Sequence, residues 1–142
     1  MLFCKTRHSD DIGLLILRVG IGLIFIFHGY PKLMGGQEKW IWLGNQMVYV
    51  GITFWPAFWG LMCAIAEFFG GIALILGLCT RVASFLLAFN MIIALIYHYH
   101  DQPTWPLMAH PLSLLVVFCA LFFAGAGKYS VDHFLCNHAR EQ

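Results

Sequence analysis

The sequence predicts an all-α integral membrane fold: a four-helix bundle in a single domain, residues 1–142, with an interfacial or re-entrant helix between helices one and two. Three observations predict it. Hydrophobic residues make up 61% of the chain and charged residues only 11%, which is too little polar surface to clothe a soluble domain of this length. The mean hydropathy is +0.78. The apolar residues also gather into four stretches, each close to the ~20 residues that cross a bilayer as a helix. The lipid bilayer is therefore the expected surroundings. A net charge of +1 excludes nucleic acid as a partner, because neutralising phosphates takes a clustered excess of Lys and Arg.

The first stretch runs from about residue 12 to 30. The preceding MLFCKTRHSD has the look of a signal-peptide start, but the apolar run is too long for an h-region and no small-x-small cleavage site follows, so a retained helix is expected. Residues 31–56, PKLMGGQEKWIWLGNQMVYVGITFWP, are too apolar for a plain linker and too interrupted to span. A helix lying in the interface or re-entering is expected around Gln37 to Tyr49, over the outer mouth of the bundle. Spans two and three, about 57–78 and 82–99, are separated by a few residues and must form an antiparallel hairpin. The fourth span covers about 107–126. Without an internal repeat or a visibly broken helix, an alternating-access transporter is disfavoured.

Four spans place both termini on one side. Lys5, Arg7, Arg81, Lys128 and Arg140 fall on that side, and Lys32 and Lys39 on the other. The bias of positive charge toward the cytoplasm predicts a bacterial inner-membrane (plasma-membrane) protein with both termini cytoplasmic. Trp40, Trp42, Trp55, Trp59 and Trp105 all fall in or beside the two outer loops, where an aromatic belt belongs. The five cysteines, Cys4, Cys63, Cys79, Cys119 and Cys136, show no C-x-x-C spacing, which argues against a disulfide framework or a redox dithiol. Cys4 and Cys136 share a side and could approach one another; both are expected to be inert.

Charge inside a span costs about 2.5–3.5 kcal/mol per residue on insertion scales, so Arg18 in the first span and Glu67 in the second each call for a partner. Glu67 lies on a line of small residues, Gly60, Cys63, Ala64, Gly70 and Gly71, suited to close helix contact, and Gly22 and Gly29 do the same for the first span. A buried Arg18–Glu67 pair is the economical expectation. It either locks the two helices together or makes Glu67 a proton-carrying catalytic group tuned by Arg18. Asn90, on the face Ala83, Asn90, Ala94, Tyr97, Asp101, is either interhelical glue or a ligand contact.

His28, His98, His100 and His110 gather at the outer boundary from three helices. Imidazole ligates metals, carries protons and hydrogen-bonds quinone oxygens, and Tyr30, Tyr97, Tyr99 and Asp101 stand by as supporting groups. His110 heads a line with Ser113, Val117, Ala120 and Ala124 that is expected to face the bundle. His98 and His100 cannot both point inward on a regular helix. A quinone site, with His28, His98, His110, Tyr97, Asn90 and Asp101 as ligand contacts, and a metal or haem site built on the four histidines are both open, as is the plain reading of amphipathic interfacial side chains. His8, His133 and His138 read as solvated tail residues.

The segments LRVGIGLIFIFHGYPKL, AEFFGGIALILGLCTRVAS and GAGKYSVDHF resemble, in order, the landmark segments of the DoxX family of small membrane proteins, from about residue 12 to 135. The likeness places Arg18, His28, Gly29, Lys32, Glu67, Gly70, Gly71, Thr80, Arg81, Tyr129 and Asp132 at motif positions. Gly70 and Gly71 would then permit close packing beside Glu67, and Asp132 would pair with Arg81 and tie the cytoplasmic end shut. The family often carries an acid near the start of helix four, where this chain has His110, and its GPG-like turn reads GAG here. The resemblance implies a membrane subunit of a redox system, with quinone-coupled oxidation among the family's associations. The alternatives are a non-catalytic scaffold for a soluble oxidoreductase partner, and a copper- or haem-handling module. Exposed faces of small residues would also suit a homodimer.

Overall fold

The computed structural model describes residues 7–138, and among these every regular element is helical. The order is α1 (Arg7–Leu33), α2 (Gly36–Gly44), a 3₁₀ turn (Asn45–Val50), α3 (Pro56–Leu76), α4 (Thr80–Asp101), α5 (Trp105–Ala124) and α6 (Val131–His138). Four of these are long and apolar enough to cross a bilayer: Ser9–Leu33, Pro56–Leu76, Thr80–Asp101 and Trp105–Ala124. They coincide with the four predicted spans. Cys4, Lys5 and Arg140 lie outside the described residues.

The boundaries shift where local chemistry overrides hydropathy. The first span continues through Pro31 to Leu33, and Met34 N–H closes its last turn on the Tyr30 carbonyl at 2.9 Å. Helix α3 stops at Leu76 rather than Leu78 because Gly77 turns left-handed (φ 66). Gly77 and Leu78 donate back to Leu74 and Ala73 at 3.1 and 2.9 Å, the paired bonds of a Schellman end. Helix α6 has its own start signal: the Ser130 hydroxyl accepts the His133 N–H at 3.1 Å, an N-cap.

The four spans enclose a core of Phe25, Leu74, Ala83, Leu87, Met91, Phe118 and Leu121. Phe25 meets Phe118 edge-on, centroids 4.9 Å apart, which joins α1 to α5. Outward, Ile16, Phe27, Phe69, Phe85, Val116 and Phe123 stand exposed, a surface that only a hydrocarbon surrounding leaves without cost.

Glycines set how closely the helices approach. A Cβ at Gly22 would come 2.6 Å from the Gly71 carbonyl, and one at Gly29 would come 2.5 Å from the Phe68 nitrogen. The backbones of α1 and α3 therefore touch along two turns, a small-residue contact of the kind membranes favour. Gly70 points the other way, onto Leu87 of α4 at 3.4 Å. Gly60 receives the Trp40 carbonyl and Gly44 the Pro56 carbonyl, both too close for any side chain. Helix α2 thus packs along the first turns of α3, and the 3₁₀ turn after it reaches α4. A helix occupies the place expected between spans one and two, held laterally against α3.

One predicted face is corrected. Pro111, Phe118 and Leu121 are the buried residues of α5, whereas His110, Ser113, Ala120 and Ala124 are exposed. The reason is physical: lipid is as apolar as a helix interior, so packing register against the neighbouring helices, rather than polarity, chooses the inward face.

Candidate functional site

The Gly29 contact brings α1 against α3 at the level of Glu67 and Phe68. Lys32 follows Gly29 by three residues on the same face of α1. Its Nζ lies 2.7 Å from both Glu67 carboxylate oxygens and donates a hydrogen bond to Oε1. Glu67 is 3% exposed and Lys32 27%, so the carboxylate is sealed within the bundle while the ammonium reaches its edge. Oε2 receives no hydrogen bond of its own.

Around this pair the side chains form one connected set. The Cys63 thiol, a turn before Glu67 on α3, approaches Oε1 at 3.8 Å. The Asn90 amide of α4 donates to the Cys63 carbonyl at 3.2 Å. The indole N–H of Trp40 in α2 donates to the Lys32 carbonyl at 3.0 Å. Four elements thus converge on one intramembrane ion pair, and Asn90 acts as a bridge between α3 and α4.

The expected Arg18–Glu67 pair does not form. Lys32 and Arg18 are separated by about 21 Å of helix at 1.5 Å per residue, and Lys32 is the one that Gly29 places over Glu67. Arg18 instead closes the opposite end of the bundle. It is fully buried and donates from Nη2 to the Tyr129 carbonyl. Its guanidinium fills the space beside Gly77 that a side chain there would occupy. The opposite charge acting on it comes from Asp132.

Asp132 is likewise corrected: its partner is the start of α4 rather than Arg81. Its carboxylate accepts the N–H groups of Cys79 and Thr80 at 2.7 and 3.0 Å, and its own N–H donates to the Gly77 carbonyl at 3.0 Å. Cys79 sits left-handed (φ 47), a conformation a non-glycine residue seldom adopts, and Asp132 grips the N–H groups of that turn. The end is tied shut as expected, through backbone rather than through a surface ion pair.

The four histidines expected at the outer boundary separate into two places. His28 and His110 face each other with ring centroids 6.3 Å apart, both exposed, and Phe25 lies beside His28. His100 stacks on Tyr49 of the 3₁₀ turn at 4.8 Å, rings nearly parallel. Tyr97 contacts Trp42, Tyr49 and His98, and its hydroxyl lies 3.3 Å from Asp101. Among the described residues no three His, Cys, Asp or Glu side chains come together closely enough to hold a metal ion. The expected set of His28, His98, His100 and His110 is therefore no single cluster, and His98 and Tyr97 belong with the aromatic contacts that fix α2 and the 3₁₀ turn over α4.

Lys32 is the residue that sequence reasoning placed at a motif position without seeing its role. The signal was present in the Gly22, Gly29 and Lys32 spacing, which sets a cation on the glycine face of α1.

Four spanning helices that bury a lysine–glutamate pair between the first and second define a polytopic α-helical membrane protein with an intramembrane charged site. The chain belongs to the DoxX family, which it matches over residues 13–100. It is 28% identical over 132 residues, 91% of this chain and 96% of the relative, to the "Inner membrane protein YqjF" of Escherichia coli (strain K12). It is 35% identical over 127 residues, 89% of this chain and 90% of the relative, to the "Putative oxidoreductase CatD" of Bacillus subtilis (strain 168). No solved structure matches the chain.

Proposed function

We propose that this protein is the membrane subunit of a redox system, in which an apolar carrier of the quinone class reaches the Lys32–Glu67 pair from the bilayer. The observation that carries the reading is the pair itself: a carboxylate buried at mid-span whose cationic partner extends to the bundle edge. Reducing a quinone to a quinol takes two electrons and two protons. The electrons come from an electron-donating partner protein, and the protons need a relay inside the hydrocarbon. Lys32 is placed to hydrogen-bond a carbonyl oxygen arriving at that edge, and Glu67 to pass a proton through the ammonium it holds. Intramembrane carboxylates in such positions commonly mark proton paths. The relative named as an oxidoreductase supports the class of reaction.

The test uses the detergent-purified full chain and a short-chain ubiquinone analogue. Saturable binding is expected for the native protein, weakened about tenfold or more in Glu67→Gln, with the variant still inserted and monodisperse. Quinone binding unchanged by Glu67→Gln sinks the reading. Quinone binding absent from the native protein would instead favour a scaffold for a partner enzyme.

The membrane is the inner one in this reading, with both termini cytoplasmic. Arg81 and Lys128 line one cleft together with Asp11, near the start of α1, and Asp132 of α6, whereas Lys32 lies at the end of α1 and Lys39 in α2. A C-terminal green fluorescent protein fusion is expected to fluoresce and a C-terminal alkaline phosphatase fusion to stay inactive, because the phosphatase needs an oxidising compartment. The reverse pattern would invert the topology.

A further inference from the structure

The end of the bundle where α1 begins and α6 lies holds an open cleft of about 980 Å³ that takes no part in the Lys32–Glu67 site. The first turn of α4, the Gly125–Lys128 connection and α6 form its walls. Its charges are sorted in an uneven way. Asp132 is occupied by the N–H groups of Cys79 and Thr80, and Asp11 accepts the Lys128 N–H at 2.9 Å. Arg81 and Lys128 line the same cleft, and among the described residues no hydrogen bond or ion pair engages either side chain. The two carboxylates of the cleft are thus engaged by backbone N–H groups, while the side chains of its two cations, Arg81 and Lys128, have no partner among the described residues.

Two further features shape what could enter. Gly125, with φ 76, has no side chain beside the Arg81 guanidinium; a Cβ there would stand 3.6 Å from Nε. Its absence leaves the guanidinium uncovered. Exposed apolar side chains stand at or next in sequence to its lining residues: Val82 is 60% exposed, Phe123, beside Ala124, 78%, and Phe134, beside His133, 67%. Val82 itself lines the cleft. A free cation pair bordered by exposed hydrocarbon, at the boundary of the spanning segments, complements an anion carried on an apolar body.

We propose that this cleft binds the phosphate of an anionic phospholipid, with Arg81 and Lys128 as its ligands and Val82 and Phe123 against the acyl chains. Arg supplies a planar fork suited to phosphate oxygens and Lys a point charge. Basic pockets between helices at the polar boundary hold lipid headgroups by the same physics. A soluble phosphate compound shares the headgroup chemistry but has no use for the apolar rim.

Native mass spectrometry of the detergent-purified full chain, with phosphatidylglycerol or phosphatidylcholine added, reads the selectivity directly. We expect phosphatidylglycerol to bind about tenfold or more tightly than phosphatidylcholine. The preference should fall to less than about twofold in the Arg81→Gln/Lys128→Gln double variant and persist in Arg81→Lys/Lys128→Arg. Lys39→Gln, at the other end, should keep it as well. Equal binding of the two lipids overturns the proposal, as does a preference that survives loss of both cations. Displacement of the bound lipid by millimolar inorganic phosphate would overturn the lipid as the ligand and assign the cleft to a soluble phosphate.

Discussion

Lys32→Met is expected to lower the stability of the protein by about 3 kcal/mol, more than Glu67→Gln, as read from reversible unfolding in mixed micelles. The difference follows from what each variant leaves behind. Removing the ammonium strands a carboxylate that is 3% exposed, and an unpartnered buried charge costs several kcal/mol. Removing the carboxylate's charge leaves a lysine that is 27% exposed and long enough to extend toward the polar boundary. The double variant Lys32→Met/Glu67→Leu should recover most of the stability, since two packed apolar side chains replace a desolvated pair. It should nonetheless bind no quinone, which separates the pair's contribution to the fold from its proposed chemistry. Equal and additive losses in the two single variants would show that the residues are not coupled.

Gly77→Ala is the second large effect, expected at about 3 kcal/mol or more. Two costs combine: the residue is left-handed at φ 66, which costs a side chain about 1–2 kcal/mol, and the added methyl would collide with the buried Arg18 guanidinium and with Ser130, overpacking of a further 1–3 kcal/mol or so. The collision makes a specific signature. In an Arg18→Ala background the same glycine change should cost at least about 1 kcal/mol less, because the clashing group is gone. Thermal unfolding followed by helical ellipticity in detergent measures both. A Gly77→Ala cost that is identical with and without Arg18 would mean that the guanidinium does not occupy this position.

These two effects fall on residues whose importance was legible in different degrees. Arg18 and Glu67 announced themselves as charges inside apolar runs, and each does have a partner. Their partners are not legible in the sequence, because which charges meet depends on the axial offset between α1 and α3. That offset is set by backbone contacts at Gly22, Gly29 and Gly71, and a hydropathy pattern carries no information about it. Asp132 shows the same limit. Its position beyond the last span was plain, but a carboxylate can bind a guanidinium or two backbone N–H groups, and the left-handed Cys79 that presents those groups is a feature of the folded turn. Helix α6 is not legible in the sequence, because its apolar run is too short to stand out against four spans.

What the sequence by itself determined is the number of spans, their approximate ends, the hairpin of α3 and α4, and the two intramembrane charges that had to be satisfied. All of these follow from length, polarity and turn chemistry, which are local. Only the tertiary structure decided that Lys32 holds Glu67, that Arg18 belongs to the clasp with Tyr129 and Gly77, that the four histidines divide, and that α5 buries Pro111, Phe118 and Leu121. These are matters of register and packing between helices that are apolar on every side, where the bilayer removes the inside–outside contrast from which a soluble sequence would be read.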